Sequence, residues 1–124
     1  MSTPLHATIL FGHGSRDPLW HQPMQAVARQ ASLLAPHTLV RCAYLELTEP
    51  DLPTCVQELA AAGVAEITIT PMFLGVGRHA REDLPRLFED LRRQHPRIDF
   101  RLAASVGEDA RVIELLARIA VADE

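Results

Sequence analysis

The sequence predicts an α/β fold, a three-layer sandwich built on a four-stranded parallel sheet with flavodoxin-like βα repeats. The first observation is that short apolar runs, each suited to one buried strand, alternate along the chain with stretches whose apolar residues recur at helical spacing. The second is that the alternation is regular, and strands joined by right-handed helical crossovers run parallel. The 124 residues are expected to form one domain, 1–124.

The first half of the chain holds two of the four units. ATILF, residues 7–11, is an apolar run bounded by glycine and predicts the first strand. A helix is expected over about 20–34, and Pro23 is expected either to lie in its first turn or to kink it. The second strand is predicted over 39–45. The second helix is predicted over 51–63, where a glycine stops it.

The third unit begins with EITITPM, residues 66–72, which predicts a strand. A helix is predicted over about 81–94, because Leu84, Leu87, Phe88 and Leu91 follow the i, i+3, i+4, i+7 pattern of one helix face. Pro96 marks its end, since proline cannot continue a helix.

The fourth unit is the strand 98–103 followed by a helix over about 110–122. Its apolar residues are expected to point inward: Val112, Leu115, Leu116 and Ile119. Four strands make a smaller sheet than most free-standing α/β enzymes use, so the sequence also suggests self-association.

Composition narrows the function classes. The net charge of −4 argues against a nucleic-acid groove, and all 12 basic residues are arginine, which excludes lysine chemistry and a P-loop. Cys42 and Cys55 have neither a C-x-x-C nor a zinc spacing, so reduced thiols in a cytoplasmic protein are expected. The apolar run at 7–11 is too short for a targeting segment or a membrane span, so no membrane partner is expected.

Three residues suited to metal binding follow three different strands. His13 follows the first strand, Glu46 the second and His79 the third. Ligands of open parallel sheets bind beyond the carboxyl ends of the strands, so these side chains share one edge. Two imidazoles and a carboxylate are a plausible ligand set for Co²⁺, Fe²⁺ or Ni²⁺, although their wide spacing alone is a weak signal.

Small and basic residues surround these three candidates. Gly12 and Gly14 flank His13, which suggests a sharp turn and open space for a wide, flat ligand; Gly75 and Gly77 suggest the same near His79. Near this edge, arginines are able to hold ligand carboxylates. The predicted ligand-binding residues are therefore Gly12, Gly14, Ser15, Arg16, Gly77, Arg78 and Arg81. The remaining histidines are expected at the surface: His6, His21, His37 and His95. Trp20 is expected in packing or at an interface.

Two other motifs in the chain are misleading. GVGRHA, 75–80, fits the G-x-G-x-x-A nucleotide fingerprint, but it follows the third strand and no acidic residue ends the next strand. FGHGSR, 11–16, is similar to the R-H-G loop of histidine phosphatases, but Gly12 stands where those enzymes have arginine. No nucleotide cofactor is therefore expected.

Four stretches together resemble one known family. They are GHGSRDP (12–18), AYLELTEPDL (43–52), TPMFLGVGRHAREDLP (70–85) and RVIELLARI (111–119), in the family's order and over nearly the whole chain. The family is that of the small sirohydrochlorin chelatases, the short CbiX type, which insert a divalent metal into a tetrapyrrole during cobalamin or sirohaem synthesis.

The resemblance implies roles for individual residues. The metal-binding histidines of the family fall on His13 and His79, with Asp83 completing the second motif, and the family's acidic residue falls on Glu46. It also implies a homodimer with the tetrapyrrole in a cleft between copies. In the mechanism this suggests, His13 and His79 hold the metal and arginines hold the ring carboxylates. A neutral imidazole accepts the ring protons, and Glu46 neutralises the metal or relays protons outward. An ordinary imidazole, with a pKa of about 6.5, is suited to that task.

Two alternatives stay open from the sequence. A metal or tetrapyrrole carrier would use the same ligands without turnover. A histidine phosphatase-like enzyme would use His13 as nucleophile and would need no metal. The physiological metal, the oxidation state of the ring and the arginines that contact it are not specified by the sequence.

Overall fold

The computed structural model describes residues 5–122. Its sheet has four parallel strands in the order β2-β1-β3-β4: β1 (His6–Gly12), β2 (Thr38–Tyr44), β3 (Glu66–Pro71) and β4 (Asp99–Leu102). Each strand is followed by a helix: α1 (Gln22–Leu34), α2 (Leu52–Ala61), α3 (Arg78–Gln94) and α4 (Ala110–Ala120). The predicted α/β fold with a four-stranded parallel sheet is therefore confirmed, and the ends of the expected 1–124 domain lie outside the described residues.

Helix starts are where the prediction and the structure differ most. A short 3-10 helix (Pro18–His21) precedes α1, and Asp17 caps it by accepting a hydrogen bond from the Leu19 N–H. Helix α3 begins at Arg78 rather than at about 81, because Gly77 takes the extended conformation of an N-cap there. Pro23 lies in the first turn of α1 as predicted, where a proline costs no helical hydrogen bond.

One face of the sheet carries the main core. Helices α2 and α3 cover it, and apolar side chains from all four strands fill the space beneath them. Its largest fully buried members are Ile9, Phe11, Leu52, Ile67, Ile69 and Leu91. Alternation along β3 explains why, since Ile67 and Ile69 point to this face while the threonines between them point to the other.

The opposite face carries a smaller cluster. Helix α1 packs mainly on β2 and β1, and Leu10, Met24 and Tyr44 are the buried residues of that contact. Thr68 and Thr70 of β3 are only half-buried on this side. The helices therefore cover the two faces of the sheet unequally.

The expected inward face of the last helix is wrong. No residue of α4 is buried, and Leu115, Leu116 and Ile119 are 59%, 42% and 63% exposed. The helix is amphipathic as predicted, but its main contact is with the short 3-10 helix that precedes it (Val106–Glu108) and not with the sheet. None of the helices within 5–122 has the length and apolar character needed to cross a membrane.

Candidate functional site

Two of the three predicted metal-binding side chains meet at the carboxyl edge of the sheet. His13 directly follows β1, and Glu46 lies two residues beyond β2. The His13 Nε2 atom is 3.1 Å from Glu46 Oε1, and the two side chains are 57% and 56% exposed. An imidazole and a carboxylate thus form a contact that solvent and ligands reach freely. Such a pair is able to bind a cation or to accept protons.

Backbone hydrogen bonds place this pair. Strands β1 and β2 are in parallel register up to the Gly12–Tyr44 pair, and the ladder continues past the strand ends. The Leu45 N–H donates to the Gly12 carbonyl at 2.9 Å, and the Glu46 N–H donates to the His13 carbonyl at 3.1 Å. Because neighbouring strands lie less than 5 Å apart, this extension brings the two side chains within contact distance.

The glycines beside His13 are closely packed. Gly14 has a φ of +102°, and a Cβ there would lie 1.8 Å from the Glu46 carbonyl oxygen. A Cβ on Gly12 would lie 2.5 Å from Met24 Sδ. Both glycines are buried, and of the two only Gly14 needs the left-handed conformation. Their contact with a flat ligand stays a prediction.

His21 is a residue whose role the sequence reasoning missed. It was expected at the surface, but its Nε2 atom lies 2.8 Å from the Ser15 carbonyl oxygen and 3.3 Å from Thr48 Oγ1. A carbonyl only accepts, so Nε2 carries the proton and donates. The sequence separation between Ser15 and His21 matches neither a helical nor a strand periodicity. The pattern Ser15–x₅–His21 would have been detectable only as two polar residues around a turn.

Thr48 completes the connection between the two loops. Its hydroxyl donates to the Ser15 carbonyl at 2.7 Å and accepts from the Ser15 N–H at 3.1 Å. The backbone of Ser15 thus ties the loop after β1 to the loop after β2, and its predicted contact with a ligand stays a prediction. Its hydroxyl accepts from the Asp17 N–H. The 12–17 and 44–48 segments are thus joined at several points.

Aromatic rings pack around His21, at the junction between the loops after β1 and β2. His21 lies edge-on to Tyr44 with ring centroids 5.0 Å apart, and Trp20 lies edge-on to His21 at 5.2 Å. Burial, and secondarily the neighbouring Cys42, raises the pKa of the Tyr44 phenol to about 12. The expectation that Trp20 serves packing is therefore consistent with its place, although the indole is still 40% exposed.

The third predicted ligand lies on a separate segment. His79 is in the first turn of α3, and the start of the segment before it is fixed by Ser105 Oγ and the Gly107 N–H, which both donate to the Phe73 carbonyl. Gly75 and Gly77 have open space around them, as predicted. Within residues 5–122, no three His, Cys, Asp or Glu side chains are gathered closely enough to hold a metal ion. His13 and Glu46 are thus in contact, whereas His79 does not form a three-residue metal cluster with them in the described residues.

The predicted arginines are on the surface near this edge. Arg16 and Arg81 are exposed, and the Arg78 Nε atom lies 3.1 Å from Glu82 Oε1, one helical turn along α3. A pair this exposed contributes little to stability. All three guanidinium groups are therefore accessible to an anionic ligand.

A groove lies beside Glu46, but it is acidic. Its volume is about 700 Å³, and it is lined by the 45–51 loop together with Thr54 and Glu58. Its carboxylates are Glu46, Glu49, Asp51 and Glu58. A ligand that carries carboxylates would be repelled there, so the groove is unsuited to binding an anionic ring.

Comparison with known sequences identifies relatives. The family model CbiX matches residues 7–121. A sirohydrochlorin cobaltochelatase of Methanopyrus kandleri is 33% identical over 81 residues, which cover 65% of this chain and 57% of that protein. One from Sulfurisphaera tokodaii is 29% identical over 114 residues, covering 90% of this chain and 88% of that protein. The alignment therefore spans well under two thirds of the first relative and most of the second.

Solved structures give the same result for the fold. A CbiX protein of cobalamin biosynthesis from Marinobacter aquaeolei VT8 has a TM-score of 0.81 at 33% identity, with 93% of each chain covered. The sirohydrochlorin chelatase SirB from Bacillus subtilis subspecies spizizenii, solved in complex with cobalt, has a TM-score of 0.77 at 24% identity. In that comparison 94% of this chain covers 50% of SirB, and at this identity the likeness concerns the fold alone.

Proposed function

The chain belongs to the CbiX family, and from this premise we propose that it inserts a divalent metal ion into sirohydrochlorin. Cobalt is the first candidate, with iron and nickel as alternatives, and the reaction would serve cobalamin or sirohaem biosynthesis. The observation that carries the proposal is the exposed contact of 3.1 Å between His13 and Glu46 at the carboxyl edge of the sheet. Both the metal ion and the ring are substrates, and no nucleotide takes part.

His13 is the proposed entry ligand for the metal. In the contact of 3.1 Å the Nε2–H donates to the Glu46 carboxylate. A cation that binds Nε2 replaces this proton, which is released to water, and the ion then lies beside a carboxylate that offsets its charge. His79 is the proposed second ligand, supplied by the more open segment at the start of α3. This arrangement lets the ion be held by few protein ligands, which favours its release to a ring with four nitrogens.

Proton transfer is the second task of the pair. Insertion forms bonds between the metal and the ring nitrogens, and two ring N–H protons are lost without any change in oxidation state. When the ion leaves His13, the freed Nε2 lone pair accepts a ring proton and passes it to Glu46, 3.1 Å away. Glu46 is exposed enough to release the proton to water, and the pair is then ready for the second.

Substrate orientation is assigned to the arginines Arg16, Arg78 and Arg81. They are exposed near the same edge, and guanidinium groups bind carboxylates through two parallel hydrogen bonds. The chain covers half of SirB in the structural comparison, which supports a homodimer with the ring in a cleft between copies. The chain is proposed to act in the cytoplasm.

The test is anaerobic insertion of Co²⁺, Fe²⁺ or Ni²⁺ into sirohydrochlorin, followed by the absorbance of the ring. We expect acceleration above the rate without protein and a loss of about 100-fold or more in His13→Ala, the size of a lost proton-transfer group. His79→Ala should raise the metal concentration needed for half-maximal rate. His37→Ala is the matched control, because His37 precedes β2 at the opposite edge of the sheet and should leave the rate unchanged.

Two results would overturn the proposal. Stoichiometric binding of metal or ring without any acceleration would identify a carrier, the alternative that uses the same ligands. Release of phosphate from a phosphomonoester without added metal, abolished in His13→Ala, would identify a phosphatase.

A further inference from the structure

Leu47, in the loop after β2, has a backbone conformation that is unfavourable for its residue type. Its φ is +66°, and it is the one residue other than glycine with a positive φ within residues 5–122. In the left-handed region the Cβ of an L-residue comes too close to the following carbonyl oxygen, so glycine and asparagine are favoured there. A leucine at this position therefore makes the folded chain less stable than either of those residues would.

The loop imposes this conformation, but it does not require a leucine. On one side of Leu47, the Glu46 N–H donates to the His13 carbonyl at 3.1 Å. On the other side, the Thr48 hydroxyl donates to the Ser15 carbonyl at 2.7 Å, so the backbone between these bonds has little freedom. Leu47 itself is 53% exposed and lies outside both buried clusters of the described residues. Packing within the chain therefore does not offset the strain, and strain of this kind is typical of functional sites.

A second leucine at the same edge of the sheet also combines a fixed backbone with an exposed side chain. Leu74 follows β3, and its backbone packs against Gly107 so closely that a Cβ there would lie 1.9 Å from the Leu74 carbonyl oxygen. Leu74 is nevertheless 69% exposed and, like Leu47, lies outside both clusters of the described residues. Two large apolar side chains are thus presented to solvent on backbones that are held in place.

The two leucines belong to loops on opposite sides of His13. Because the strand order is β2-β1-β3-β4, the loop after β1, which carries His13, runs between the loops after β2 and β3. Neighbouring strands lie just under 5 Å apart, so Leu47 and Leu74 extend from strands about 10 Å apart. A ligand that contacts both leucines has to be wide, and it has to lie across His13.

We propose that Leu47 and Leu74 contact the flat, apolar surface of the tetrapyrrole, one on each side of His13, and hold the ring across the metal ion. This inference rests on the proposed function and adds two substrate-positioning residues to it. Burial of a leucine side chain against ring carbons is favourable and non-directional, so the same contact serves the ring before and after the metal enters. The strain at Leu47 is then offset in the complex with the ring.

The charges at this edge are consistent with a contact to the face of the ring. Leu47 lines the acidic groove of the β2 side, whereas Arg16 follows β1, and Arg78 and Arg81 follow β3. The carboxylates of the substrate are at the rim of the ring, so they are repelled by the groove and attracted by the arginines. The apolar face of the ring is therefore the part that Leu47 contacts.

Ring binding is measured first, without metal, by anaerobic titration of sirohydrochlorin followed by its absorbance. Leu47→Asn removes the apolar contact with a residue that accepts the left-handed conformation, so the Kd should rise about 10-fold while the urea midpoint stays the same or rises. Leu47→Met keeps an apolar side chain of similar volume and should bind the ring within about two-fold of wild type. Leu33→Asn is the matched control, because Leu33 is 74% exposed near the end of α1, at the opposite edge of the sheet, and it should bind like wild type.

The second leucine is tested in the same assay. Leu74→Asn should also raise the Kd about 10-fold, and the double variant with Leu47→Asn about 100-fold, because two separate contacts with one ring add in free energy. Wild-type affinity in either single variant would overturn the proposed pair of contacts. A lowered urea midpoint in Leu47→Asn, together with equally weak ring binding in Leu47→Met, would show that Leu47 has a structural role only.

Metal insertion is measured in parallel to separate this inference from the proposed function. At saturating ring, the Co²⁺ concentration for half-maximal rate should be the same in Leu47→Asn as in wild type, since no metal ligand is changed. The expected Kd differences in a protein that accelerates no insertion would remove the proposed function and leave the contact intact. Accelerated insertion with the same ring dependence in every variant would remove the contact and leave the function intact. A wild type that neither binds the ring nor inserts metal would remove both.

Discussion

The loops after β1 and β2 differ sharply from the loop after β3. The first two are joined by the bonds of Leu45, Glu46 and Thr48 to the 12–15 segment, and Gly14 fits against Glu46 with no space for a side chain. The third is held at its start, by two hydrogen bonds to the Phe73 carbonyl and by the packing of Gly107 on Leu74, whereas Gly75 and Gly77 are surrounded by open space. The comparison teaches that half of the candidate site is formed by the fold, whereas the half that carries His79 is left adjustable.

The largest effect is expected from a side chain at Gly14, because this residue packs directly on the Glu46 carbonyl. Gly14→Ala places a side chain at positive φ and against the Glu46 carbonyl, so we expect a loss of at least about 2 kcal/mol of unfolding free energy, together with most of the insertion rate. Urea unfolding followed by circular dichroism measures the first quantity. Gly75→Ala is the matched control in the open loop and should change the unfolding free energy by less than about 0.5 kcal/mol. Equal losses in the two variants would mean that the loops do not differ.

A smaller effect is expected from His21. His21→Phe keeps a ring against Trp20 and Tyr44 but loses the hydrogen bond to the Ser15 carbonyl, which should cost about 1 kcal/mol of stability. Because that bond positions the loop of His13, the metal concentration for half-maximal insertion should rise about 10-fold, as for residues that orient metal ligands.

The variant His21→Gln distinguishes a role of His21 in positioning the His13 loop from a role in stability alone. The amide N–H of His21→Gln lies where the Nε2–H of histidine lies, so this variant should recover the metal dependence without recovering the ring packing. If Phe and Gln variants show the same metal dependence, His21 contributes only to stability.

The smallest effect concerns Tyr44 at alkaline pH. Its pKa is raised from 10.0 to about 12, first by burial and then by Cys42, so the folded state holds the phenol proton more tightly than the unfolded state. Its contribution to stability is therefore complete below about pH 10 and is lost as the pH rises toward 12. Tyr44 is the only tyrosine, so phenolate absorbance reports on it alone. Folded protein should titrate well above urea-unfolded protein, and coincident titrations would show that the junction is not buried.

The strands and the first contact of the site were predictable because they depend on local patterns. ATILF has the apolar character of a buried strand, and parallel topology then places the residues after β1 and β2 side by side. His13 and Glu46 accordingly meet as expected. The start of α3 was missed by three residues, because Gly77 acts as an N-cap without the side-chain oxygen that usually marks one.

Other features depend on contacts between residues that are distant in sequence, which the spacing of apolar residues does not specify. The amphipathic pattern of α4 predicts a covered face, but no residue of this helix is buried, so the expectation that Leu115 and Leu116 point into the core was wrong. The function of Gly12 is set by Met24, 12 residues away, and the hydrogen bonds of His21 depend on the path of a turn. The roles of His79 and of the arginines stay predictions.

The edge-on rings of Trp20, His21 and Tyr44 beside the His13 loop also provide an intrinsic optical probe. Trp20 is the only tryptophan of the chain, and its ring edge lies 3.4 Å from where a Cβ of Gly12 would be. Any emission of the protein from indole therefore originates directly behind the residue proposed to receive the metal. An open-shell ion such as Co²⁺ quenches nearby indole fluorescence, so arrival and departure of the metal become visible in real time without a label.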